Sequence, residues 1–246
     1  MARLTQAIKN LTRLTSLSTR VLADSPFQAT GLVQRPPSYT LPAFSAATAV
    51  AGYFGGGNDG SRVSGIDKIT FPLDTKTTLS ATLTSARNFL SGMANSTVAG
   101  YFLGGDDGSS FISGIDKITF PADTKTTLSA TLSTARGDIP AGMANSGVAG
   151  YFGGGYDTGL IDGIDKITFP ADTRTTLSAV LTSPRAALAA MAANASAGYF
   201  GGGEAAAGAR LSGIDKITFP ADSKTTLSAT LTTARTSPTG MADGGV

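Results

Sequence analysis

Residues 115–136 read Ile-Asp-Lys-Ile-Thr-Phe-Pro-Ala-Asp-Thr-Lys-Thr-Thr-Leu-Ser-Ala-Thr-Leu-Ser-Thr-Ala-Arg. The same string returns, with small changes, from Ile66, Ile164 and Ile214. The starts lie 49, 49 and 50 residues apart, so the chain is a tandem array. Two strands are expected inside each copy. In the first, Ile118 and Phe120 share a face. In the second, expected over about Thr126–Ser133, Leu128, Ala130 and Leu132 alternate with Thr127, Ser129, Thr131 and Ser133. Between them, Pro121-Ala122-Asp123-Thr124 supplies a turn, with φ preset by proline and an aspartate able to cap.

Two further strands are expected upstream of each copy. One surrounds Gly-Met-Ala-Asn, as at Gly92–Ser96. The other is Val98–Leu103, stopped by Gly104 and Gly105. It carries Gly-Tyr-Phe, which recurs from Gly52, Gly100, Gly150 and Gly198. No repeat contains a helical period. Four-stranded units of 40–50 residues point to propeller blades. The expected fold is an all-β propeller of four blades over 44–246, with repeats at about 44–91, 92–141, 142–190 and 191–239. Residues 240–246 restart the unit as a first strand. They are expected to pair beside Val50–Gly55 and close the ring, although Ala43–Thr48 competes for the same slot. Deleting 240–246 should then lower thermal stability.

Composition narrows the chemistry. Charged residues make up 15% of the chain, well below the usual quarter, so it relies on β-pairing and small-residue packing. The absence of cysteine excludes a disulfide framework and thiolate metal sites. The absence of histidine removes the commonest general base and metal ligand. Residues 1–44 carry a net charge of +4 and the remainder −2, so no basic face for nucleic acid is expected.

An aromatic pair running into Gly-Gly (Tyr101-Phe102, Gly104-Gly105), then a strand, a turn, a fourth strand and Arg136, resembles the kelch repeat. The usual kelch tryptophan after the third strand is missing from every unit, and Thr/Leu-rich segments stand in its place. The fuller pattern joins Tyr-Phe-Gly-Gly-Gly, Ile-Asp-Lys-Ile-Thr-Phe-Pro, Ala-Arg and Gly-Met-Ala-Asn-Ser. It resembles kelch-like proteins of tailed bacteriophages, cyanophages in particular, which are attributed to tail fibres. The resemblance covers about Ala43–Val246 and implies a virion protein of the tail.

Comparing the repeats with one another locates a candidate site. They differ most after the second strand, at Asn58–Ser64, Asp106–Ser113, Tyr156–Asp162 and Glu204–Ser212. They differ again after the arginine, at Asn88–Ser91, Gly137–Ala141, Ala186–Ala190 and Thr236–Thr239. In a meander these two loop sets lie at the same end of the sheets. One face should therefore carry all the variation, and the candidate ligand-binding residues are Asn58, Asp59, Arg62, Asp106, Asp107, Tyr156, Asp157, Glu204 and Arg210. The competing reading is relaxed constraint on solvent loops. The Asn58-Asp59 and Asp106-Asp107 pairs after glycines invite a Ca²⁺ loop, but the equivalent loops lack them, so turn formation is the expected role. No metal or cofactor is expected.

Asp67, Asp116, Asp165 and Asp215 recur in register with Arg87, Arg136, Arg185 and Arg235. One buried Asp–Arg pair per blade is the structural expectation, and a polar ring that binds an ion is the alternative. Repetition argues against an active site, which is usually asymmetric. No nucleophile–base pair or metal triad assembles from the sequence, so no enzyme is expected.

Residues 1–24 differ in kind. Leu4, Ile8, Leu11, Leu14, Leu17 and Val21 step by three or four, the pattern of an amphipathic helix. It is too short and polar to span a membrane. It reads as a docking or trimerising anchor, as a helix packed on the propeller, or as a transit peptide. Residues 25–43, with Pro36-Pro37, read as an extended linker. The expected partners are other virion proteins through residues 1–44, a host-surface glycan or protein, and further copies of the chain, a trimer by first guess. The expected function is tail-fibre adhesion through the variable face. A purely structural virion component and a glycan-active enzyme are the alternatives.

Overall fold

The computed structural model describes residues 50–138, 140–193 and 195–242. The expected anchor helix, the linker and residues 243–246 of the expected closing strand lie outside them. Within the described residues the chain is all-β and propeller-like: four antiparallel sheets follow one another in sequence, with a single 3₁₀ turn at Ala206–Gly208.

Repeat one gives β1 (Val50–Gly55), β2 (Ile66–Phe71) and β3 (Thr75–Thr78). Repeat two gives β4 (Ser91–Asn95), β5 (Ala99–Leu103), β6 (Ile115–Thr119) and β7 (Thr124–Thr127). Repeat three gives β8 (Ala141–Asn145), β9 (Ala149–Gly153), β10 (Ile164–Thr168) and β11 (Thr173–Thr176). Repeat four gives β12 (Ala189–Ala193), β13 (Ala197–Gly201), β14 (Ile214–Thr218) and β15 (Ser223–Thr226). Each sheet is a simple meander, with Tyr101 opposite Lys117 and Phe102 opposite Asp116 in repeat two. The first strands β4, β8 and β12 lie side by side.

The fourth strand is shorter than the alternation suggested. It spans Thr124–Thr127, and Leu128–Ser133 leaves the ladder. Leu128 donates its amide to Ile115 O and Leu132 to Ser113 O, which turns the segment back over the core with Leu132 buried. The turn before β7 follows a cis Phe120-Pro121 bond and sets Asp123 at φ 56°, a conformation aspartate tolerates. After β5 the chain needs glycine. Gly104 has φ 66°, and a Cβ there would lie 2.6 Å from Arg136 O.

The core lies between successive sheets, and each interface repeats the last. Tyr53 stacks on Phe120, Tyr101 on Phe169 and Tyr151 on Phe219, with centroids 4.9, 5.1 and 4.8 Å apart. Each such pair contributes on the order of 1 kcal/mol beyond its burial. The same tyrosines donate to an aspartate of the next repeat: Tyr53 Oη to Asp123, Tyr101 Oη to Asp172 and Tyr151 Oη to Asp222. A lysine joins each: Lys68, Lys117 and Lys166 reach the second carboxylate oxygen at 2.7, 2.6 and 2.7 Å. The turns between first and second strands are clamped across repeats as well. Asn95 Oδ1 accepts from Gly147 N and Asn145 Oδ1 from Ala195 N.

The recurrent arginines and aspartates also pair between repeats. Arg87 meets Asp116 at 3.0 Å, Arg136 meets Asp165 at 2.9 Å and Arg185 meets Asp215 at 2.6 Å. All six side chains are buried. Asp67 and Arg235 are the outer members of the series; Arg235 is exposed and the Asp67 side chain is 42% exposed. Burial, the strongest single influence, pushes the Asp116 and Asp215 carboxyls up. Hydrogen bonds from Thr84 or Thr182, with the neighbouring guanidinium, outweigh it and hold both below the ordinary carboxylate value. A depressed carboxyl contributes stability that is present above its unfolded-state pKa and is lost as pH falls through the folded one. Thermal unfolding should therefore hold steady down to roughly pH 4 and weaken below it. A Tm that rises on acidification would contradict these pairings.

Candidate recognition face

The segments that vary between repeats are joined by the backbone. The segments after Arg87, Arg136 and Arg185 each pair with the second-to-third-strand loop of the next repeat. These isolated bridges are Asn88↔Asp106, Gly137↔Tyr156 and Ala186↔Glu204. Their amides and carbonyls exchange two hydrogen bonds of 2.9–3.1 Å each. The turns from first to second and from third to fourth strand occupy the opposite end of the sheets, where Phe120, Phe169 and Phe219 donate their amides to the carbonyls of Val98, Val148 and Ser196.

Each second-to-third-strand loop is pinched by a second bridge: Asn58↔Arg62, Asp106↔Phe111, Tyr156↔Leu160 and Glu204↔Arg210. Two equivalent positions per repeat thus carry Asn/Arg, Asp/Phe, Tyr/Leu and Glu/Arg. The later position of one repeat reaches the earlier position of the next. Arg62 donates to the Asp106 carbonyl at 3.0 Å and meets its carboxylate at 3.1 Å. One repeat further on, Phe111 packs edge-on against Tyr156 with centroids 6.0 Å apart. The same register is held by a salt bridge at one step and by an aromatic pair at the next.

All nine sequence-selected residues lie on these four loops. Several of them spend side-chain oxygens on the turn. Asn58 Oδ1 accepts from Gly60 N, Asp59 Oδ1 from Ser61 N and Asp106 Oδ1 from Gly108 N. Asp107 Oδ1 accepts from the Ser109 amide and hydroxyl and from Ser110 N. The Ser109 amide leads in holding that carboxyl below its ordinary value. Among the described residues no three acidic side chains gather where they could hold a metal ion.

Sequence reasoning missed three features. Asp138, at φ 56°, has its carboxyl pushed up by burial and then by the charge of Glu204. Asn88, in the segment after Arg87, has a buried side-chain oxygen without a hydrogen-bond partner. The Tyr–Lys–Asp contacts between repeats were also missed. Their signal was present as a lysine and a turn aspartate repeated in every unit of a low-charge chain.

Fold and face together define a repeat-built, propeller-like protein that displays four different loops over near-identical sheets. Comparison with known families returns no matching family model, and comparison with curated proteins returns no match.

Proposed function

We propose that this chain is a binding protein of the tail-fibre type, a kelch-like propeller whose variable face recognises a host-surface glycan or protein. One observation carries the reading: the segments that vary most between repeats are those that the fold places side by side. A scaffold held constant by buried ion pairs and stacked rings, with change concentrated in paired loops, is the arrangement expected of a recognition surface. Tyr156 is 37% exposed and sits beside Asp157, which offers a ring face and a carboxylate to a polar ligand. Weak contacts at each loop gain strength when many copies are displayed together.

A second reading has its own observation. Arg62–Asp106 and Phe111–Tyr156 satisfy one another across repeats, which suits a structural virion component whose loops brace the array. Host-cell or glycan-array binding by the full chain separates the two. In the recognition reading, Tyr156→Ala with Asp157→Ala lowers binding about tenfold or more, a loss of roughly 1.4 kcal/mol or more. Val148→Ser, at the opposite end of the sheets, leaves it unchanged. Equal binding by all three proteins would overturn it.

A further inference from the structure

The three interfaces between repeats share one set of contacts, and the two ends of the array carry the unmatched halves of that set. At the end formed by repeat four stand Tyr199, Lys216 and Arg235, the equivalents of Tyr151, Lys166 and Arg185. Among the described residues none of the three has an aspartate or stacking partner from another repeat. Arg235 Nε donates to Thr233 O at 3.0 Å, as the Nε of one buried counterpart, Arg136, does to Thr134 O at 3.3 Å. At the other end stand Asp67, Phe71 and Asp74, the equivalents of Asp116, Phe120 and Asp123. Asp74 has the same left-handed backbone, at φ 51°. Asp67 keeps its contacts within its own repeat, to Thr78 and Lys76, but none from an arginine.

The apolar parts match as well. At the first and third interfaces the second-strand phenylalanine of one repeat sits over a glycine of the repeat before it, and at the second Leu103 holds the glycine's place. A Cβ on Gly55 would lie 2.8 Å from the Phe102 ring, and one on Gly153 would lie 2.9 Å from Phe200. Phe152 and Phe200 are fully buried, whereas Phe54 is 70% exposed. Among the described residues Gly201 has no ring over it. There a cleft of about 200 Å³ is lined by Tyr199, Gly201, Ile214, Leu231 and Pro238. These are the equivalents of the residues that hold Phe102. A cavity of about 150 Å³ takes a benzene ring, so the cleft has room for a phenylalanine side chain.

We propose that the repeat-four end binds the repeat-one end of a second copy of this chain, reproducing the internal interface. Phe54 fills the cleft at Gly201, Tyr199 stacks on Phe71, Tyr199 and Lys216 grip Asp74, and Arg235 pairs with Asp67. A basic and phenolic end meets an acidic end, which fixes the direction of association. The contact is heterologous, so each copy keeps one free end until a ring closes. Two chains supply eight repeats, within the range of closed propellers. Ala193 occupies the place of the clamping Asn95 and Asn145, so the contact between copies lacks the clamp that joins repeat two to three and repeat three to four.

The chain has no cysteine, which makes disulfide trapping clean. Thr84 Oγ1 lies 2.7 Å from Thr127 Oγ1, and Thr182 Oγ1 lies 2.5 Å from Thr226 Oγ1. Thr232 and Thr78 hold those positions at the two free ends, and both are exposed. Full-length Thr78→Cys and Thr232→Cys chains, mixed and oxidised, are expected to give a mixed product of two-chain mass. Adding Phe54→Asp to the first chain should reduce its yield at least tenfold. The Thr78→Cys/Thr232→Cys double variant, oxidised alone, should form bonds between chains. A bond formed only within one chain would show that the ends meet intramolecularly, and absence of the mixed product would show that they do not meet. Either result overturns the proposal.

Discussion

Asp165→Ala is expected to lower the stability of the array by about 3–5 kcal/mol, because it strands Arg136 in the core. Asp165 accepts hydrogen bonds from Ser133 N, Ser133 Oγ, Arg136 Nη2 and Thr176 Oγ1, and it is fully buried. The guanidinium that remains keeps the carbonyls of Gly154 and Gly163 but no counter-charge. For a chain of this size that is a fall in Tm of roughly 6–20 °C. Asp67→Ala, in the same Ile-Asp-Lys-Ile-Thr-Phe sequence, should cost under about 1 kcal/mol in dilute protein, because its partners are exposed. Denaturant unfolding of both variants checks the contrast. Equal losses would mean that the buried pair does not hold the repeats together.

The second large effect is apolar. Phe152→Ala should cost about 3–5 kcal/mol. Its ring is fully buried, lies near Gly104 and has the Arg136 guanidinium over it at 5.8 Å. Phe54→Ala removes the equivalent ring where it is 70% exposed, so its effect on unfolding in dilute protein should be within about 0.5 kcal/mol. Thermal scans at low concentration test this pair. A Phe54→Ala loss as large as that of Phe152→Ala would show that the repeat-one end is covered in the isolated chain.

Much of this construction was legible because the sequence repeats itself. The comparison of Ile115–Thr119 with its copies located the third strands, and Gly104-Gly105 marked the end of the second. The link from Arg136 to an aspartate was legible too, but its direction was not. A periodic sequence does not say whether an arginine bonds its own repeat or the next; only the stacking of sheets decides that Arg136 reaches Asp165 and not Asp116. The alternation of Leu128, Ala130 and Leu132 suggested a long fourth strand. A chain that folds back over a core also points every second side chain inward, so the period did not separate the two. On the face, the variable loops were legible as differences. The pairing of Arg62 with Asp106 and of Phe111 with Tyr156 was not, because unlike residues serve the same position in successive repeats.

In the proposed recognition role the varied loops, and not the repeated sheets, select what the protein binds. The direct measurement is host-cell binding by a full chain in which residues 106–112 and 156–161 are replaced by the repeat-one sequence 58–63. Thermal unfolding is monitored alongside. Binding is expected to fall at least tenfold while Tm moves by only a few degrees, because the buried Asp–Arg and Tyr–Phe pairs lie outside the exchanged loops. Undiminished binding by the folded variant would contradict it.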